Sequence, residues 1–83
     1  MAEYQILYWR DLPAQFRVYD GGRARSFKLP DAFQERIDRA AMEAGLTGTE
    51  AYLEQWHWSE RSSRAGTPDE VARALTAKFA REG

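Results

Sequence analysis

Apolar and polar positions alternate over the first third of the chain. Tyr4-Gln5-Ile6-Leu7-Tyr8-Trp9 is rich in strand-forming residues. As a strand it sends Tyr4, Ile6 and Tyr8 to one face and Gln5, Leu7 and Trp9 to the other. Neither face is clearly polar, so the strand is either covered on both sides or carries an adhesive outer face. Asp11-Leu12-Pro13 reads as a turn, because proline presets its φ and disfavours ladder pairing. Alternation resumes in Gln15-Phe16-Arg17-Val18-Tyr19, with Phe16 and Val18 on one side and Gln15, Arg17 and Tyr19 on the other. Asp20-Gly21-Gly22 is a strong turn signal. Arg23 to Leu29 alternates again and predicts a short third strand, with Arg23, Arg25, Phe27 and Leu29 on one side.

The period then changes from two to 3.6. Pro30-Asp31 opens a helix whose stripe is Phe33, Ile37, Ala40, Ala41 and Ala44. The charged residues between them (Glu35, Arg36, Asp38, Arg39, Glu43) form its solvated face, and Gly45 ends it. Thr47 or Thr49 can cap a second, short helix with Tyr52, Leu53 and Trp56 on its inner side. Trp56 to Arg61 alternates and predicts a strand that joins the sheet. Thr67-Pro68-Asp69-Glu70 is the sharpest local signal: a capping threonine, proline at the first helical position, and glutamate three residues after the cap. Val71, Leu75 and Phe79 follow at helical spacing, carrying the last helix to about Arg81. Ser59–Gly66, with its Ser, Arg and Gly content, is expected to be the most mobile stretch.

The predicted fold class is therefore α+β, in the order β-β-(β)-α-α-β-α. A small antiparallel sheet of three to four strands carries two to three helices packed on one face. The 83 residues fit one domain, 1–83, without repeats or low-complexity linkers. A domain of this size buries only about 60% of the surface its unfolded chain exposes, so most of its large rings are needed for stability.

Composition narrows the chemistry. With no cysteine, the chain holds no disulfide, no thiolate nucleophile and no zinc–cysteine site. Small secreted domains usually carry disulfides, and Met-Ala-Glu-Tyr-Gln lacks the basic-then-apolar pattern of a leader. No apolar run approaches the length of a membrane span. We therefore expect a complete, cytoplasmic chain with no membrane partner. Net charge is −1 but uneven: residues 1–29 sum to +2, residues 30–60 to −5, and residues 61–83 to +2. An overall basic excess, the usual mark of a nucleic-acid-binding domain, is missing, although the two ends could build a local basic surface.

No catalytic motif stands out. His57 is the only histidine, and no spacing links it to Glu54, Glu60, Ser59, Ser62 or Ser63 as a proton-transfer set. One histidine with scattered acids gives no metal-ligand spacing, so no catalytic residue, metal or cofactor is assigned. Gly21-Gly22-Arg23 matches neither phosphate-binding fingerprint and reads as a hairpin turn. The distinctive feature is the pairing of aromatic rings with arginines on or beside predicted strands. Trp9, Arg10, Arg17, Tyr19 and Trp58 are the candidate contact residues, of the types enriched in protein–protein hot spots. With Arg23, Arg25, Arg61 and Arg64 added, the same face could stack bases and neutralise phosphates. The structural alternative is that Trp9 and Trp58 simply complete a thin core.

Three stretches carry a resemblance. They are Tyr4-Gln5-Ile6-Leu7-Tyr8-Trp9-Arg10-Asp11-Leu12-Pro13-Ala14-Gln15, Leu29-Pro30 leading into Phe33-Gln34, and Glu50-Ala51-Tyr52-Leu53-Glu54-Gln55-Trp56. Together they resemble the bacterial "virulence factor" small-domain family, whose members occur alone and within conserved virulence factor proteins with HEAT-like repeats. The run from Tyr8 to Gln15 is the most specific part. The resemblance implies a bacterial, intracellular, non-enzymatic accessory domain, and it supplies no catalytic residues. Fusion to repeats fits a protein-contact role, since such repeats are usually scaffolds. The leading expectation is an interaction module with another protein as partner. Single-stranded nucleic-acid binding on the same face is the first alternative. A small enzyme subunit with His57 near the site is the second, and a homodimer through exposed sheet edges remains open.

Overall fold

The computed structural model describes residues 1–82. Its first three strands form an antiparallel meander: β1 (Ala2–Trp9), β2 (Leu12–Asp20) and β3 (Arg23–Lys28). Two helices follow, α1 (Asp31–Glu43) and the single-turn α2 (Glu50–Glu54). Two short strands, β4 (Trp56–Trp58) and β5 (Ser62–Arg64), lead into α3 (Pro68–Glu82). The sheet runs β3-β2-β1-β4, and β5 pairs with the opposite end of β1 from β4.

The hairpins follow from backbone permissiveness. Asp20 pairs with Arg23, which leaves Gly21-Gly22 as a two-residue loop. Gly21 sits at φ 64, a left-handed value that glycine adopts at no steric cost. The first turn lies one step earlier than Asp11-Leu12-Pro13 suggests. Trp9 pairs with Leu12, so Arg10 and Asp11 make the turn, with Arg10 at φ 57. Pro13 is already in β2, opposite Tyr8, where the register slips and Ala14 is passed over. An irregularity of this kind is where a strand tolerates a proline.

Two apolar clusters hold the layers together. Ile6, Phe16 and Val18 from one sheet face pack with Phe33 of α1 and Val71, Leu75 and Phe79 of α3. Phe79 lies between the Phe16 and Phe33 rings, stacked on the first at 6.2 Å and edge-on to the second at 5.8 Å. Around the end of β1, Trp9 packs with Ile37 and Ala41 of α1, and with Leu46, Tyr52 and Trp56. Phe33, Ile37 and Ala41 thus serve both clusters from one stripe of α1, as their spacing predicts. The second cluster sets the position of α2. Trp9 Nε1 donates to the Tyr52 carbonyl at 2.9 Å, and the Arg10 N–H to the Gln55 carbonyl at 3.1 Å.

The caps behave as their residue types require. The Tyr52 N–H donates to Thr49 Oγ1, making Thr49 the cap of α2. Thr67 and Glu70 form a reciprocal capping box: the Glu70 N–H donates to Thr67 Oγ1 at 3.2 Å, and the Thr67 N–H to Glu70 Oε1 at 3.0 Å. Leu53 does not face inward as its spacing suggests; it is 66% exposed, because Tyr52 takes the inner position against Trp9. Nor is Ser59–Gly66 a free loop, since Ser62, Ser63 and Arg64 pair with Tyr4, Glu3 and Ala2.

Candidate functional site

One face of the sheet is covered by α1 and α3; the other presents Gln5, Arg17, Tyr19 and Trp58. Pairing of Gln5 with Arg17 across β1 and β2 fixes the centre of this surface. Tyr19 stands two residues along β2 on the same side, and Trp58 pairs with Leu7, Gln5's neighbour on that face. All four side chains are half-buried.

Gln5 organises them. Its Oε1 accepts from Arg17 Nε at 3.0 Å, from Arg17 Nη2 at 2.7 Å, and from the Tyr19 hydroxyl. Its Nε2 donates to the Ser59 carbonyl at 2.8 Å. Because guanidinium only donates, the amide oxygen is the atom that faces Arg17. Ser59 is itself locked to β1: its N–H donates to the Ile6 carbonyl at 2.8 Å, and its Oγ accepts from the Ile6 N–H at 2.9 Å. A chain of backbone and amide bonds therefore runs from the segment after β4, through Gln5, to Arg17.

On this frame the rings and guanidinium groups alternate. The Arg17 guanidinium carbon lies 3.9 Å from the Trp58 ring centroid and 5.6 Å from that of Tyr19. Arg61 lies 3.7 Å from the Tyr19 ring centroid, and its Nε is 4.0 Å from Glu3 Oε2. Such contacts are worth about 0.5–1 kcal/mol each where water has access. Their larger effect is to hold flexible side chains in one arrangement. Among the described residues Arg17 has no carboxylate within ion-pair distance, and its Nη1 makes no hydrogen bond.

The structure divides the candidate residues. Arg17, Tyr19 and Trp58 come together, and Arg61 joins them. Trp9 does not: it is 0% exposed, which corrects the expectation that it anchors a contact face. Arg10 is exposed at the turn, 5.1 Å from the Trp9 ring centroid and outside the ladder. Arg25 pairs with Val18, so it stands on the helix-covered side, where its Nη1 meets Asp69 at 2.6 Å. Arg23 alternates to that same side, and Arg64 pairs with buried Ala2 on that side too. The single arginine-rich face proposed for nucleic acid is thus split by the sheet. Gln5 and Ser59 are the residues that sequence pattern missed. The only available signal was a polar residue between Tyr4 and Ile6 in an otherwise apolar strand.

His57 lies on the other side of the sheet edge from the ladder, paired with Tyr8 and stacked on its ring at 5.8 Å. Its Nδ1 is 3.2 Å from the Gln55 carbonyl, while the Ser59 hydroxyl donates to the Glu60 carbonyl. Tyr8 lines a groove of about 440 Å³ whose walls include Phe33, Arg36, Lys78, Phe79 and Glu82. Burial, with Tyr4 and Glu82 nearby, raises its phenol pKa above the usual value. Among the described residues no group of three or more His, Asp or Glu side chains is placed to hold a metal ion, and no helix is long and apolar enough to cross a membrane.

No curated protein and no solved structure matches this chain. The family model described as "Virulence factor" matches residues 7–82, which take in the end of β1, the turn, Trp58, Arg61 and all three helices. The chain therefore belongs to the virulence factor family.

Proposed function

We propose that the domain is a non-enzymatic protein-interaction module, an accessory part of a larger bacterial cytoplasmic system, that holds a protein partner against the open face of its sheet. One observation carries this: Trp58, Arg17, Tyr19 and Arg61 form a half-exposed ladder that no helix among the described residues covers, with Arg17 and Tyr19 held in place by Gln5. Tryptophan, tyrosine and arginine dominate the energetics of protein interfaces. Ordering them before binding lowers the entropy lost on association. Among the described residues Arg17 Nη1 makes no hydrogen bond and its charge meets no carboxylate, which suits a carboxylate or a main-chain carbonyl of the partner.

Nucleic-acid binding draws less support. Of Arg23, Arg25, Arg61 and Arg64, only Arg61 shares the ladder's face. The Trp58 and Tyr19 rings also already carry guanidinium groups where bases would stack. For an enzyme subunit, His57 stacks on the Tyr8 ring and meets the Gln55 carbonyl, and among the described residues no carboxylate hydrogen-bonds to it as an orienting partner.

The test is affinity capture of the tagged domain from native bacterial lysate after nuclease treatment, comparing wild type with Arg17→Ala and Trp58→Ala. A defined protein held by wild type should be lost by both variants, each weakened by about 30-fold as expected of interface anchors. A partner retained equally by the variants, or one that leaves on nuclease treatment, would remove the proposal.

A further inference from the structure

The two edges of the sheet differ. One is broken into the three-residue strands β4 and β5, separated by Ser59–Arg61. The other is β3, six residues in uninterrupted register with β2 and, among the described residues, with no partner strand on its outer side. Five of its six residues are exposed, and Phe27 is half-buried. A continuous edge of this kind presents unpaired backbone groups to any extended chain.

Which groups are open follows from the register. The Leu29 N–H donates to the Ala14 carbonyl at 3.3 Å, continuing the pairing in which Gln15 meets Lys28. Bonded pairs alternate in an antiparallel ladder. Phe27, Arg25 and Arg23 therefore turn their backbone groups inward to β2, and Ala24, Ser26 and Lys28 turn theirs outward. A strand added here would bond to those three residues.

Charge selects the occupant. The strand carries Arg23, Arg25 and Lys28 and no acid. Pairing with a second copy would set two such strands side by side, which like charge opposes. The ion pairs already present, Arg25–Asp69 and Lys28–Asp31, are exposed, with side chains 52%/73% and 73%/88% accessible. Exposed pairs of this kind contribute little and exchange partners readily. On the helix-covered side the added strand would meet Arg23, Arg25 and then Phe27, whose ring stacks on Phe16 at 5.0 Å.

We propose that the outer edge of β3 binds an extended acidic segment of another protein by strand addition, with acidic side chains opposite Arg23 and Arg25 and an apolar one opposite Phe27. The contact rests on the backbone of β3 and is separate from the ladder on the open face.

The experiment titrates isotope-labelled protein with the short synthetic peptide Thr-Leu-Thr-Glu-Thr-Glu, whose first residue falls opposite Lys28, and with its Thr-Leu-Thr-Lys-Thr-Lys counterpart. The acidic peptide should slow hydrogen exchange at the amides of Ala24, Ser26 and Lys28. The basic peptide should bind about tenfold more weakly or worse, since like charge excludes wrong partners. Ser26→Pro removes an outward N–H without touching the bonds to β2, so it should keep the fold and lose the peptide. Should that variant unfold, Arg23→Glu combined with Arg25→Glu replaces it and should abolish the preference for the acidic peptide. Arg17→Ala should bind the acidic peptide as wild type does, which separates this contact from the ladder. Unchanged exchange at the three amides, equal binding of the two peptides, or full binding by a folded Ser26→Pro variant each overturns the proposal.

Discussion

Trp9 and Trp58 look alike in the sequence and differ in the structure, so a matched pair of substitutions tests the division between core and contact face. Trp9 is 0% exposed and donates through Nε1 to the Tyr52 carbonyl, while Trp58 is half-buried beneath the Arg17 guanidinium. Trp9→Ala would remove a fully buried ring, a change that costs about 3–5 kcal/mol. A chain of this length has a total stability of about 4–12 kcal/mol, so that variant risks unfolding outright. Trp9→Phe is the measurable version. It keeps one ring, loses the hydrogen bond (about 0.5–1.5 kcal/mol) and leaves a small void. The expected cost is about 2 kcal/mol. Trp58→Ala loses a half-exposed ring and one cation–π contact, for an expected cost of about 1 kcal/mol. Urea unfolding reads both: with a slope of about 1–3 kcal/mol per molar, Trp9→Phe lowers the midpoint by about 1 M and Trp58→Ala by about half that. Binding should reverse the order, with Trp58→Ala losing the partner and Trp9→Phe keeping it. Equal destabilisation by the two variants, or a neutral Trp9→Phe, would refute the assignment of Trp9 to the core and Trp58 to the contact face.

Two further outcomes follow from the hydrogen bonds. Gln5→Leu strips the ladder of its common acceptor; we expect a loss of about 1–2 kcal/mol in stability, and a double-mutant cycle with Arg17→Ala should show that the two effects are not additive. Independent, additive losses would mean that Gln5 does not organise Arg17. At the start of α3, hydrogen bonds from the Thr67 backbone and then its side chain hold the Glu70 carboxyl below its ordinary pKa of 4.5. A lowered folded pKa contributes stability that is complete above the ordinary value and is lost as pH falls through the folded one. Acid titration of thermal stability should therefore show a larger loss below pH 4.5 in wild type than in Glu70→Gln, and identical curves would count against the capping box.

Local patterning made much of the fold readable. Gly21-Gly22 marked a hairpin because only that dipeptide interrupts an alternating run there, and Thr67-Pro68-Asp69-Glu70 marked a helix start because each residue satisfies a different need of the first turn. Ser62-Ser63-Arg64 gave no sign of being a strand, since it has no apolar face and its pairing depends on Glu3 and its neighbours, about sixty residues away. Leu53 was misplaced because a single helical turn is too short for its period to decide between adjacent residues.

The candidate site divides along the same line. Residue types alone singled out arginine and aromatic side chains, and alternation placed Arg17 with Tyr19 on one face of β2. Which rings are surface was decided by packing. Trp9 shares a face with Gln5 and Leu7 by parity, yet α1 and α2 close over the end of β1 and bury it. Strand register sent Arg23, Arg25 and Arg64 to the covered side, and only folding brought Ser59 to Gln5, 54 residues apart, to set the amide that orients Arg17. Sequence by itself determined the α+β class, the capping box of α3 and the alternation within β1, β2 and β3, because these depend on neighbours a few residues away. Tertiary structure decided which face stays open and which guanidinium groups share it, because those depend on contacts between segments whose separation along the chain leaves no periodic trace.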